Sequence, residues 1–276
     1  MSKILTWPSA VGTVLLLCVS FAHCSLAAED GSPPSHSQSS GQVHVAATSG
    51  PGNDSPLDRP FSAVGIALEM STAGAGIEVA TPLSWRWNLR AGFNTFNYSE
   101  AFTTDGINYD AKARLRSVSV FLDWFPLAGG FHISPGVWIY NGNKASAILN
   151  VPQNQAITLN DVDYYTNPAD PIKGTGKLTF HTVSPGLEVG WGNLIPRFNK
   201  RWSIPVELGF VYHGTPALQF DLTGSACTSR AATSCSQIAT DLTIQSNLNA
   251  QRRKLQKNVA PYRFFPIMSI GFGYRF

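Results

Sequence analysis

Seven charged residues in this chain sit beside apolar neighbours in segments that are otherwise nearly free of charge: Glu69, Glu78, Arg90, Asp123, Glu188, Glu207 and Arg275. Leu68-Glu69-Met70, Leu89-Arg90-Ala91 and Val206-Glu207-Leu208 show the pattern. A lone charge is costly to bury, so carboxylates and guanidinium groups placed this way must meet one another. The chemistry they support is ion pairing in a confined space. We read the set as a structural salt-bridge plug, with a proton or ion path as the alternative.

Other residues suggest other chemistry. From residue 61 onward the histidines are His132, His181 and His213, and the last two fall near the same end of neighbouring segments. Hydrolytic chemistry would need a Ser–His–acid set or an Asp–His pair within hydrogen-bond reach. Cys227 and Cys235 lie close together in a polar stretch and read as a disulfide in an exported chain. Closing so short a loop is worth roughly 2.5 kcal/mol in the chain-entropy model. Two thiols with no nearby third ligand make a poor metal site, and the sequence calls for no metal or cofactor. The acidic stretch Asn160 to Asp170 lacks the spacing of a calcium loop and reads as an ordinary polar connection.

The elements that must position these residues are strands. Trp202, Ile204, Val206, Leu208, Phe210 and Tyr212 alternate with Ser203, Pro205, Glu207, Gly209, Val211 and His213. A period of two puts one kind of side chain on each face. The same alternation runs through Val64 to Met70, Ile77 to Leu83, Trp87 to Phe93, Ser117 to Trp124, His132 to Ile139, Thr182 to Trp191 and Phe264 to Phe276. These make about eight strands, several of them near the 9–11 residues that cross a membrane. The expected fold is an all-β, eight-stranded antiparallel transmembrane barrel. The charges above fall on its inward, glycine-rich side.

Connection lengths agree with a barrel whose ends lie on one side. The inner turns are Leu83 to Arg86, Pro126 to Gly130 and Gly192 to Arg201; the outer loops are Ser99 to Asp110, Asn141 to Lys177 and Gly214 to Arg263. The outer connection at Ser71 to Gly74 is short, which leaves the first hairpin the least secure element. Two aromatic belts are expected. One holds Phe61, Trp85, Trp87, Trp124, Phe131, Trp191, Trp202, Tyr274 and Phe276; the other holds Phe96, Tyr98, Tyr140, Phe180, Tyr212, Phe264 and Phe265. In the last outer loop, Ile238 to Lys257 contains no Pro or Gly and reads as a helix. It carries Arg252, Arg253, Lys254 and Lys257, which would suit lipopolysaccharide phosphates, or it is a solvated helix over the barrel mouth.

Composition and the start of the chain point the same way. Only 13% of residues are charged, against about 25% in soluble domains, and a lipid-facing surface explains the deficit. A net charge of +3 is too small to suggest nucleic acid. Lys3, the apolar run Val14 to Val19 and Ser25-Leu26-Ala27 read as an export signal over residues 1–27. The Ser-, Pro- and Gly-rich stretch 28–60 reads as a disordered periplasmic lead, and 61–276 as the barrel.

The ending Ile270-Gly271-Phe272-Gly273-Tyr274-Arg275-Phe276 resembles the closing strand of bacterial outer-membrane barrels. With Leu122-Asp123-Trp124-Phe125-Pro126 and Tyr140-Asn141-Gly142-Asn143-Lys144, the chain is similar to a family of small proteobacterial outer-membrane proteins. That resemblance implies Sec export to the outer membrane. It implies Phe272, Tyr274 and Phe276 as an assembly signal met by periplasmic chaperones and the barrel assembly machinery. Outer-membrane lipid and lipopolysaccharide would be partners of a monomer. It carries over no catalytic residue, and His181 and His213 lack the flanking patterns of lipid A deacylases and omptin proteases. Three roles stay open: a non-enzymatic part in envelope integrity or surface interaction, a narrow channel for small solutes, and a rim-located lipid-modifying enzyme.

Overall fold

A computed structural model describes residues 59–127, 129–197 and 200–276. The expected leader, 1–27, and the lead as far as residue 58 lie outside the described residues. The chain begins with β1 (Gly65–Ser71), β2 (Gly74–Ser84), β3 (Trp87–Thr104), β4 (Ile107–Trp124) and β5 (Phe131–Asn141), each antiparallel to the next. A first excursion follows through β6 (Lys144–Asn150), β7 (Ala156–Leu159), β8 (Val162–Thr166) and β9 (Lys173–Thr179). The chain returns in β10 (Ser184–Trp191), β11 (Trp202–Ser203) and β12 (Val206–Tyr212). A second excursion adds β13 (Ala217–Thr223), β14 (Ser225–Cys227), β15 (Cys235–Gln237) and the helix α1 (Leu242–Val259), before β16 (Phe264–Arg275).

Strand β16 pairs with β12 on one side and β1 on the other, and β5 pairs with both β4 and β10. Eight strands therefore close into an antiparallel barrel, as the alternation predicts. Closure satisfies the backbone groups that an open sheet edge would leave bare, which a lipid-embedded wall requires. In the first hairpin, the least regular in sequence, β1 pairs along its whole length with both β2 and β16.

The barrel is inside-out. Leu68, Leu208 and Phe272 are 66%, 55% and 55% exposed, while Glu69, Glu207 and Ser269 are 7%, 4% and 9% exposed. Rings gather at both strand ends. At the end carrying Phe276, Trp87 stacks on Trp124 at 6.0 Å and Trp202 on Phe272 at 5.1 Å. At the far end Phe264 meets Phe210 at 5.5 Å and Tyr212 at 5.2 Å. Phe265 does not belong to this second belt: it turns inward and packs on Trp138 at 5.7 Å, because its neighbours Phe264 and Pro266 take the outward positions.

The three outer loops are folded structure. Ser99 to Asp110 continues β3 and β4 as one ladder, turned by Asp105 and Gly106 with φ of 53° and 77°. Positive φ at both turn positions matches the strand twist, and Gly and Asp tolerate it. Beyond the barrel β4 leaves β5 and pairs with β6, which continues through β9 to β13. A second, four-stranded sheet in the order β15-β14-β8-β7 packs with it. Cys227 and Cys235 face each other across β14 and β15 and form the expected disulfide.

Helix α1 covers this distal head. Asp241 accepts hydrogen bonds from the Thr243 and Ile244 amides at 2.9 and 3.1 Å, capping the first turn. Ile244, Leu248, Gln251, Leu255 and Val259 recur at helical spacing on the buried face. The Gln256 amide donates to the Pro216 carbonyl and accepts from the Leu218 amide, which ties the helix to the edge strand β13. Beneath α1 lies a core built from Ile107, Tyr109, Leu149, Ile157, Leu159, Tyr164, Phe220, Leu222 and their neighbours.

Candidate functional site in the barrel lumen

The lumen is filled at three levels. In the middle, Arg90 projects inward from β3 and gathers acids from four other strands. Its Nη1 donates to Glu78 Oε1 at 2.6 Å, its Nε to both Asp123 oxygens at 3.1 and 3.2 Å, and its Nη2 to Glu188 Oε2 at 2.9 Å. Glu207 Oε2 lies 3.7 Å from Arg90 Nη2 and 2.9 Å from His132 Nε2. The Ser134 hydroxyl donates to Asp123 Oδ1 at 2.7 Å. Glu69 is buried beside Glu78. Only a planar guanidinium, with its fan of donors, serves so many carboxylates at once. Gly190 leaves room for the network, since a Cβ there would strike Glu207 Oε2 and the His132 ring.

Toward the Phe276 end, Gly192 to Arg201 is more than the plain inner turn its position suggests. Leu194 and Ile195 enter the mouth and pack on Ala67 and Ala80. Arg197 Nη2 donates to Asn88 Oδ1 at 2.7 Å, and Asn88 Nδ2 donates to Asn193 Oδ1 at 2.8 Å. Arg275 stands apart from Arg90: its Nη1 donates to the Pro196 carbonyl and so holds this segment in place. Its place at the last residue of β16 puts it beyond reach of the central acids. Toward the far end, Ala73, Phe121, Trp138, Val211 and Ile267 form an apolar layer with Phe265 against it.

Six of the seven charges from the sequence thus meet in one network, and Arg275 does not. Sequence reasoning missed His132, Ser134, Asn88, Asn193 and Arg197 as lumen residues. His132 and Ser134 carried a signal, because they share the inward alternate positions of β5 with Gly136. Arg197 carried none, since it lies in a connection without periodicity.

Above the apolar layer, where barrel meets head, lies a cavity of about 140 Å³ lined by Tyr98, Phe102, Tyr109, Leu115, Leu178, Phe180 and Val259 among others. Phe180 and, from its open side, the exposed Tyr98 therefore line this cavity rather than a lipid-facing belt. His213 is buried at its edge against Phe180, with ring centroids 4.5 Å apart. The His181 amide donates to the His213 carbonyl at 3.4 Å. Among the described residues neither histidine ring is hydrogen-bonded to a serine hydroxyl or a carboxylate, and no cluster of His, Cys, Asp or Glu has metal-site geometry.

The helix cations divide into two pairs. Arg252 donates to the Phe220 carbonyl and to Asp221 Oδ1, both at 2.5 Å, and Lys254 Nζ lies 2.8 Å from Asp161 Oδ2. Arg253 and Lys257 are exposed. At the other end of the molecule Phe272 and Phe276 face outward, and the Tyr274 hydroxyl accepts from Arg201 Nη1 at 3.2 Å.

No family model matches the chain, and neither does any curated protein. Solved structures do. Acinetobacter baumannii CarO is similar over 78% of this chain and 97% of its own, at 22% identity and a TM-score of 0.50. Acinetobacter baumannii CarO2 is similar over 79% of this chain and 100% of its own, at 19% identity and a TM-score of 0.51. At these identities the likeness establishes the fold alone: a closed, eight-stranded antiparallel barrel.

Proposed function

We propose that this chain is an integral, monomeric barrel of the bacterial outer membrane whose lumen is shut. Its work, in envelope integrity or surface interaction, is done by the head held outside the cell. The observation that carries this reading is the Arg90 network, which spans the bore between an apolar layer on one side and the Leu194–Ile195 segment on the other. A bore of eight strands is just wide enough for its own side chains to fill it. The head supports the second half of the reading. It has its own apolar core, disulfide and capped helix, which is more structure than loop closure requires. In this reading residues 1–27 direct Sec export, and chaperones and the assembly machinery engage Phe272, Tyr274 and Phe276. No catalytic role is proposed.

A deletion strain and its complemented parent, compared for detergent sensitivity, surface adhesion and lipid A composition, test the proposal. Increased sensitivity or lost adhesion with unchanged lipid A is the expected result. A lipid A acyl chain that depends on the protein would make it an enzyme, and reduced uptake of small solutes alone would make it a channel.

A further inference from the structure

The outward face of β4 changes character along its length. Val118, Val120, Leu122 and Trp124 face out within the barrel; Arg116, Arg114 and Lys112 face out directly above them. Strand pairing places Lys144 beside Arg114, and places Ser146 then Lys177 in line with Lys112. Same-face positions along a strand are about 7 Å apart and neighbouring strands about 5 Å, so these five cations share one compact patch. All five are exposed, and among the described residues none has an acidic partner at ion-pair distance. The nearest acids on that face, Asp110 and Asp221, lie one row further out, and Asp221 is occupied by Arg252.

We infer that this patch binds the phosphates of the glycolipid that forms the outer leaflet. The inference rests on the membrane reading above. Immediately below the patch, Phe93, Val118 and Tyr140 form the last lipid-facing row, with Phe93 and Tyr140 each 47% exposed. A lipid whose acyl chains lie against that row presents its phosphates one row higher, at Arg116, Arg114 and Lys144. Guanidinium groups bind phosphate through paired N–H donors, and the surrounding lysines add charge. The helix is less suited to the task, because Arg252 and Lys254 are already paired.

The full-length protein, reconstituted in phosphatidylcholine vesicles, is titrated with lipid A carrying both phosphates and with the same lipid stripped of them. Wild type should prefer the phosphorylated lipid, with a preference that weakens as salt rises. At about fivefold per cation, Lys112→Gln, Arg114→Gln and Arg116→Gln together should weaken binding on the order of 100-fold. Arg253→Gln with Lys257→Gln should leave it unchanged. Heat-modifiable migration on gels verifies that each variant is a folded barrel. Equal binding by wild type and the triple variant overturns the inference, as does displacement of lipid A by millimolar inorganic phosphate. Cell fractionation separates the two readings. A protein absent from the outer membrane removes the membrane reading, whereas one that inserts there but ignores lipid A removes only this site.

Discussion

The barrel and the head use one strand pair in opposite senses. On the inward side of β4, Ile107, Tyr109, Ala113 and Leu115 serve the head, whereas Ser117, Ser119 and Asp123 serve the barrel. On its outward side Lys112, Arg114 and Arg116 give way to Val118, Val120 and Leu122. The partner strand β3 changes at the paired level: Asn88, Arg90 and Asn94 face in below, and above them on the same side Phe102 packs on the head core while Phe96 and Tyr98 stay partly exposed. The inversion between Arg116 and Val118 marks where the environment of the wall changes from water to hydrocarbon. The head is held together as soluble domains are, by apolar burial. The barrel turns most of its large apolar side chains to lipid and holds the middle of its bore by hydrogen bonds and ion pairs, between two small apolar layers. There an unpaired partner is far more costly than a missing methylene.

That contrast can be broken at its most sensitive point. Arg90→Met leaves Glu78, Asp123, Glu188 and Glu207 without their shared cation, and should cost about 3–5 kcal/mol or prevent assembly. Urea unfolding in vesicles, read by heat-modifiable migration, measures it. Arg90→Lys should recover part of the loss, since charge returns without the forked donors. Leu248→Ala, in the head core, should cost about 2–5 kcal/mol and be felt in the head alone. Hydrogen exchange of α1 would rise while exchange in β1 and β16 stays slow. Leu208→Arg, on the lipid-facing side of β12, should cost about 2–4 kcal/mol in vesicles. Thr175→Arg, outward on β9 in the head, should cost almost nothing.

The smallest effect concerns acid. Hydrogen bonding from the Ile244 amide holds the Asp241 carboxyl below its usual range, and bonds from Ser225 and Gln237 do the same for Asp170. Groups lowered on folding contribute stability above their unfolded value, near 3.9, and lose it as pH falls through the folded value. Exchange in α1, corrected for intrinsic rate, should therefore accelerate below about pH 4. Asp241→Asn should flatten that response, since an asparagine still caps the helix but does not titrate.

The barrel was legible because lipid on one face and a narrow bore on the other impose a strict period of two. Glycines and charges fell on one side, rings on the other. The head was harder to read because Phe96 to Thr104 and Ile107 to Leu115 reverse that polarity. A reader tracking outward apolar residues sees the strands end at Phe93 and Val118 and assigns a loop between them. The Asp105–Gly106 pair was the missed hairpin signal. The ionic network was readable as a set, because a charge between apolar neighbours has few places to go. Arg275 was misassigned because parity gives the face of a strand and not the depth. The filling of the near mouth by Leu194 and Ile195 had no local signature, since it depends on where a long turn folds back.

Conductance of the purified full-length protein in planar bilayers tests the closed lumen most directly. The Arg90 network with its two flanking layers predicts no stable open channel in wild type at moderate voltage. Large, long-lived, uniform openings from the unaltered protein would contradict it.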